Sequence, residues 1–196
     1  MKAGPDHSSI LRGLRRGEET AVRELYRRYY RPLCYFADRI LHNKEEAEDL
    51  VVETFLKLLH KKDDFNDLPS IKSFLYTAVR NACIDVLRKN KRQHQAGQEL
   101  EYLTPQEEAF LHDEMLRARV LQTIYEEVEK LPTKCRQVFI ALYVKGQSTA
   151  DVAKAYQISP QTVLNQKSKA IRLLRLALFS KGLDAHLLLI CLLSQL

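Results

Sequence analysis

An all-α fold, in two small helical domains of which the second is a helix-turn-helix, is predicted by three observations. Apolar residues recur at steps of three and four through most of the chain, which is the spacing of one helix face. Strong helix formers are abundant, while glycine and proline number six each in 196 residues, too few for a turn-rich β architecture. A polar, acidic, glutamine-rich stretch at residues 93–107 interrupts the periodic pattern near its middle and reads as a flexible linker.

In the first domain, residues 8–92, Val22, Leu25, Tyr26, Tyr29, Leu33, Phe36, Ala37 and Ile40 mark the inner face of a helix. Pro32 predicts a kink or a break into two helices near Tyr29. Asn43 is placed to cap a second helix that has Glu45 and Glu46 in its first turn and runs to about His60. Its inner face is Ala47, Leu50, Val51, Thr54, Phe55 and Leu58. A charged loop, KKDDFNDLPS at 61–70, ends in Pro69 and a capping Ser70. A third helix is expected from residue 71 to about 89, turning Ile71, Phe74, Leu75, Ala78, Ala82 and Val86 inward.

The second module is expected over 108–180, followed by an apolar tail at 181–196. Leu116, Val120, Ile124 and Val128 support one helix, stopped at Leu131-Pro132. Cys135, Val138, Phe139, Leu142 and Tyr143 support the next, with Gly146 as its left-handed C-cap. Ser148 and Asp151 then form a capping-box-like pair, and Val152, Ala153 and Tyr156 point inward. Gln157-Ile158 is a turn too short for anything but an angled helix pair. Ser159 caps the following helix, with Pro160 at the first helical position. Val163, Ala170, Ile171 and Leu174 bury one side of that helix. Its opposite side shows Gln161, Thr162, Asn165, Gln166, Lys169 and Arg172, residue types suited to reading base edges and gripping phosphates from the major groove.

Charge agrees with that reading. The chain carries a net charge of +6, and the excess is uneven. Between 93 and 129 acids prevail, whereas between 131 and 181 Asp151 stands alone against nine lysines and arginines. A basic block beyond an acidic stretch indicates a polyanion-binding module. The four cysteines form no C-x-x-C pair and the histidines are scattered, so neither a metal site nor a disulfide framework is expected. No cofactor is expected either. The N-terminus lacks an apolar signal region, and the apolar run at 187–196 is far short of the ~20 residues of a bilayer span, so a cytoplasmic protein that is not integral to a membrane is expected.

A helix-turn-helix alone fits any DNA-binding regulator; the first domain decides. LYRRYYRPL (25–33), AEDLVVETFLK (47–57), FLYTAVRNACIDVLR (74–88) and the series Leu131-Pro132, GQSTADVAKAYQIS (146–159) and AIRLLR (170–175) stand in a fixed order along the chain. Together they resemble the small, extracytoplasmic-function (ECF) sigma factors of bacterial RNA polymerase, over nearly the whole length from about residue 24 to 175. The resemblance implies a transcription initiation factor with no catalytic residues, whose partners are core RNA polymerase, promoter DNA and an anti-sigma protein. On the second helix Asp49, Val52, Glu53 and Leu56 lie at i, i+3, i+4 and i+7, and this stripe matches the family's polymerase-binding surface. On the third helix Tyr76, Arg80, Asn81, Arg88 and Lys89, with the loop at 63–69, match the site for the non-template strand of the minus-ten element. The face of the last helix matches the reader of the minus-thirty-five element. The chain has no tryptophan, so melting rests on other side chains, and residues 186–196 depart from the family's usual end. An enzyme acting on nucleic acid finds no support: there is no metal-ligand cluster, no phosphate loop and no nucleophile–base pair.

Overall fold

In a computed structural model that describes residues 7–94 and 103–182, the first domain opens with a helix at residues 7–15 that the periodicity did not predict. This helix, α1 (His7–Arg15), buries Ile10 and Leu14. It ends at Gly17, whose left-handed φ of 72° lets the Gly17 and Glu18 amides return to the carbonyls of Leu14 and Gly13. Gly13 brings α1 close to the next helix: a Cβ there would lie 2.9 Å from that of Ala21.

The next helix, α2 (Glu19–Leu41), runs through Pro32 as one element, so of the kink or break expected near Tyr29 the break does not occur. An interior proline costs about 3 kcal/mol. The helix also buries Leu25, Tyr29, Leu33, Phe36 and Ile40, each contributing ~1.5–3 kcal/mol, and that gain outweighs the proline. Val22 and Tyr26, expected inside, sit at the margin of the core. A left-handed His42 (φ 51°) closes α2, and its amide donates to the carbonyl of Asp38.

Asn43 caps α3 (Lys44–His60), its side-chain oxygen accepting from the Glu46 amide at 3.3 Å, and the buried face is the six residues expected. A 3-10 turn at Lys62–Asp64 leads to α4 (Leu68–His94), which starts earlier and ends later than expected. Asp67 rather than Ser70 is the cap: Asp67 Oδ1 accepts from the Ser70 amide at 2.7 Å, and Pro69 falls in the first turn, where its missing N–H is harmless.

α5 (Pro105–Lys130) also starts before the expected Glu108. Thr104 and Glu107 form a reciprocal cap, with the Thr104 amide on Glu107 Oε2 at 2.8 Å and the Glu107 amide on Thr104 Oγ1 at 3.3 Å. Lys91 near the end of α4 meets Glu107 at 2.8 Å. The expected linker at 93–107 is therefore helical at both ends, and residues 95–102 lie outside the described residues.

The chain divides into two compact units, 1–119 and 120–196. The first unit extends past the linker expected at 93–107, because Leu111 and Ala118 are buried in the first core, whereas Leu116, expected inside the second module, is 45% exposed. Glu114 is buried there too, neutralised by Arg117 at 2.8 Å and Arg39 at 3.5 Å, as a buried carboxylate requires. In the second unit the last turns of α5 pack with α6 (Thr133–Phe139) and α8 (Pro160–Phe179). A π-helical turn, Ile140–Val144, continues α6 and places Ala141 with Val138 in a small core shared with α7 (Thr149–Tyr156) and Val163 of α8. Gly146, at φ 63°, ends that segment as expected.

Cys83 and Cys135 are buried and Cys34 is half-buried, and all three are free thiols; Cys191 and the tail at 187–196 lie outside the described residues. Among the described residues no helix is long and apolar enough to cross a membrane, and no group of three His, Cys, Asp or Glu side chains is placed to hold a metal ion.

Candidate nucleic-acid and protein interfaces

Both helices of the α7–α8 pair are capped as their sequence dictates. The Asp151 amide donates to Ser148 Oγ at 3.1 Å and the Ser148 amide to Asp151 Oδ2 at 3.3 Å. The hydrogen bonds from Ser148 hold the Asp151 carboxyl below the usual carboxylate range. Gln157 makes the turn in the left-handed region (φ 53°), and Ser159 Oγ accepts the Thr162 amide at 3.1 Å with Pro160 leading α8. Val152 and Ala153 of α7 and Val163 of α8 are buried, which fixes how α8 is presented. Tyr156, expected inside, is 41% exposed at the last position of α7.

Of the six residues expected on the outer side of α8, Gln161, Asn165, Lys169 and Arg172 are exposed, at spacings of four, four and three. Gln161 Nε2 donates to Asn165 Oδ1 at 3.1 Å. Thr162 and Gln166 are half-buried. Thr162 Oγ1 is paired with the capping Ser159 hydroxyl at 2.9 Å, and Gln166 Oε1 accepts from the Cys135 thiol at 3.0 Å. Those two lie at the edge of the stripe, engaged with their own unit. Sequence reasoning missed Leu164 and Arg175, which are also exposed on α8. The signal was present: neither falls on the Val163–Ala170–Leu174 inner spacing.

On α3 the four expected residues form one outward stripe. Val52 is 41% and Leu56 53% exposed, and Asp49 and Glu53 are exposed beside them. Among the described residues no salt bridge or side-chain hydrogen bond engages Asp49 or Glu53. Tyr26 of α2 adds a ring next to this helix, 4.2 Å from Tyr30 and 5.2 Å from Phe55 between centroids.

On α4 the structure corrects the sequence reading. Tyr76, expected in an outer pocket, is 1% exposed. The first half of α5 adds Leu111 and Ala118 to the core that holds the Tyr76 ring, and Arg119 lies over that ring at 5.5 Å. What faces outward is Ser73, Thr77, Asn81, Asp85 and Lys89, with Arg80 and Arg88 half-buried. Arg88 Nε is shielded and has no hydrogen-bond partner, which leaves a donor unused on a charged group. The preceding loop is pinned to α4 by the buried side chains of Phe65 and Leu68. The Phe65 ring stands edge-on to Phe74 at 5.2 Å, and Lys61 lies over the other aromatic at 5.9 Å.

The family comparisons meet these elements in register. The model for Sigma-70 region 2 matches residues 25–93, taking in most of α2, all of α3 and nearly all of α4, and that for Sigma-70, region 4 matches 121–174 in the second unit. ECF RNA polymerase sigma factor SigL of Mycobacterium tuberculosis is 29% identical over 171 residues, 87% of this chain and 96% of its own length. The chain belongs to the ECF family of sigma factors. As a sigma factor it is a factor of transcription initiation. It is also 26% identical to ECF RNA polymerase sigma factor SigX of Bacillus subtilis, over 80% of this chain and 83% of that one. The solved structure of CnrH in complex with the cytosolic domain of CnrY matches at 19% identity and a TM-score of 0.36, covering 87% of this chain and 96% of that one. α1 of the sigma factor precedes the region 2 match altogether.

Proposed function

We propose that this sigma factor acts in the cytosol, docks on core RNA polymerase through Asp49, Val52, Glu53 and Leu56, and directs the enzyme to promoters by two readings of DNA. The observation that carries the proposal is the outward stripe of Gln161, Asn165, Lys169 and Arg172 on a helix capped at its first turn by Ser159 and held by α7. Amides one turn apart suit base edges in the major groove, and the two cations beyond them suit the flanking phosphates. This is the reading of the minus-thirty-five element. Thr162 and Gln166 contribute by holding the helix in place.

The minus-ten element falls to α4 and the loop before it. Thr77 and Asn81 present hydroxyl and amide groups one turn apart, and Arg80, Arg88 and Lys89 supply cations for a single strand's backbone. An extruded base recovers contact in such a site, which shifts the balance toward the open promoter. With Tyr76 in the core, capture rests on the polar groups and the loop. An anti-sigma protein is the expected regulator. Run-off transcription with purified core polymerase, on DNA taken from upstream of this chain's own coding sequence, tests the function as a whole. Factor-dependent transcripts from one start site are expected; transcripts unchanged by the factor would refute it.

A further inference from the structure

α1 takes no part in the stripes above, and it lies before the region 2 match. It nevertheless reaches the minus-ten loop. Arg15, in its last turn, donates from Nη2 to the Phe65 carbonyl at 2.6 Å and to Asn66 Oδ1 at 3.2 Å, across some fifty positions of sequence. The base of this arm is fixed. Ile10 and Leu14 are buried in the first core, and Gly13 brings the helix against Ala21 of α2.

We propose that Arg15 is a positioning residue for strand capture, holding the Phe65–Asn66 backbone and the Asn66 side chain so that the loop offers a set edge to the extruded base. The proposal rests on the minus-ten reading given above. Two features separate positioning from mere support. First, the loop is already anchored by the side chains of Phe65 and Leu68, so it stays attached when Arg15 is removed. Second, what Arg15 fixes is a carbonyl and an amide, the groups whose direction decides which base fits. A planar guanidinium with several donors can hold two acceptors at once, which a lysine ammonium does less directionally.

The test uses the full chain bound to core polymerase and fork-junction DNA with a single-stranded minus-ten segment. Each of the four bases, and an abasic site, is placed in turn at the captured position. Arg15→Ala is expected to lower the ratio of affinities between the preferred base and the abasic site by about fivefold or more, the lower end of what one mismatched base costs. Affinity for the abasic template and for core polymerase should stay unchanged, and Arg15→Lys should recover part of the ratio. An equal loss on every template, abasic included, would make Arg15 a phosphate contact and overturn the proposal. A normal base profile in Arg15→Ala beside a flattened one in Asn66→Ala also overturns it, while leaving the capture reading intact. Normal profiles in Arg15→Ala, Asn66→Ala and Asn81→Ala together would remove the capture reading itself. Arg15 is exposed, so a circular-dichroism melt of Arg15→Ala matching the parent keeps a folding defect out of the comparison.

Discussion

Gln161 and Asn165 are hydrogen-bonded to each other, so each holds the rotamer of the other before DNA arrives. Removing either should relax selectivity at one or two base pairs by ~1–3 kcal/mol, and removing both should cost less than the sum. Lys169→Ala or Arg172→Ala should instead weaken all sequences alike and reduce the salt dependence by about one charge. Binding titrations against single-base operator variants at several salt concentrations distinguish the two behaviours. An unchanged base preference after both amides are gone would move the reading face elsewhere. Tyr76 makes the opposite case. Its burial predicts that Tyr76→Ala acts on folding, with a loss of about 3 kcal/mol in urea unfolding, the usual scale for an aromatic removed from a core. Normal stability with lost promoter opening would put Tyr76 back at the DNA. Periodicity fixes the angle of Tyr76 around α4, but it cannot reveal that Leu111 and Ala118 of α5 join the same core. The α8 stripe was legible because the buried residues that set its opposite side, Val163, Ala170 and Leu174, follow helical spacing.

At the scale of the element, the legible features were those with local causes. The Asn43, Ser148 and Ser159 caps and the Gly146 stop are set by residues within one turn of where they act. The misjudged ones had distant or overlooked causes. α1 was missed because its apolar residues, Ile10, Leu11 and Leu14, are few and surrounded by charge. The start of α5 was missed although Thr104-Pro105-Gln106-Glu107 carries both a capping box and a proline at the first helical position. The α3 stripe is the element whose exposure has the clearest outcome. Asp49→Lys with Glu53→Lys should abolish association with core polymerase and leave the helical spectrum and melting temperature close to the parent's, since reversing exposed charges costs little. Co-purification of the double variant with core polymerase would show that docking lies elsewhere.

For the whole molecule, the uneven charge and the split into two units were legible, but the place of the split was not, because the first half of α5 gives its apolar residues to the first core. Each unit also contains a carboxylate that ties helices or turns together. Burial pushes Glu127 upward, but its bonds from Lys130 at 2.7 Å and Lys181 at 2.8 Å outweigh this and hold it below the usual carboxylate range. Glu24 behaves in the same way, with burial opposed by Arg27 and Arg28. A carboxyl lowered on folding contributes stability that is complete above its unfolded value near 4.5 and is lost as pH falls through the folded one. The second unit should therefore lose stability steadily below about pH 4.5. Glu127→Gln should melt earlier at pH 7 and show a shallower decline under acid. Parallel melting curves for parent and variant between pH 7 and pH 3 would rule out this linkage.

The free thiols described with the fold bear on chemistry rather than packing. Burial lifts the Cys34 thiol to about 11 and the Cys83 thiol to about 12. At neutral pH the anion that attacks peroxides and disulfides is then about one part in ten thousand of Cys34, and rarer still for Cys83. In the folded sigma factor these two side chains are slow nucleophiles. An oxidant meeting the folded sigma factor finds Cys34 and Cys83 almost wholly as thiols, the slow-reacting form.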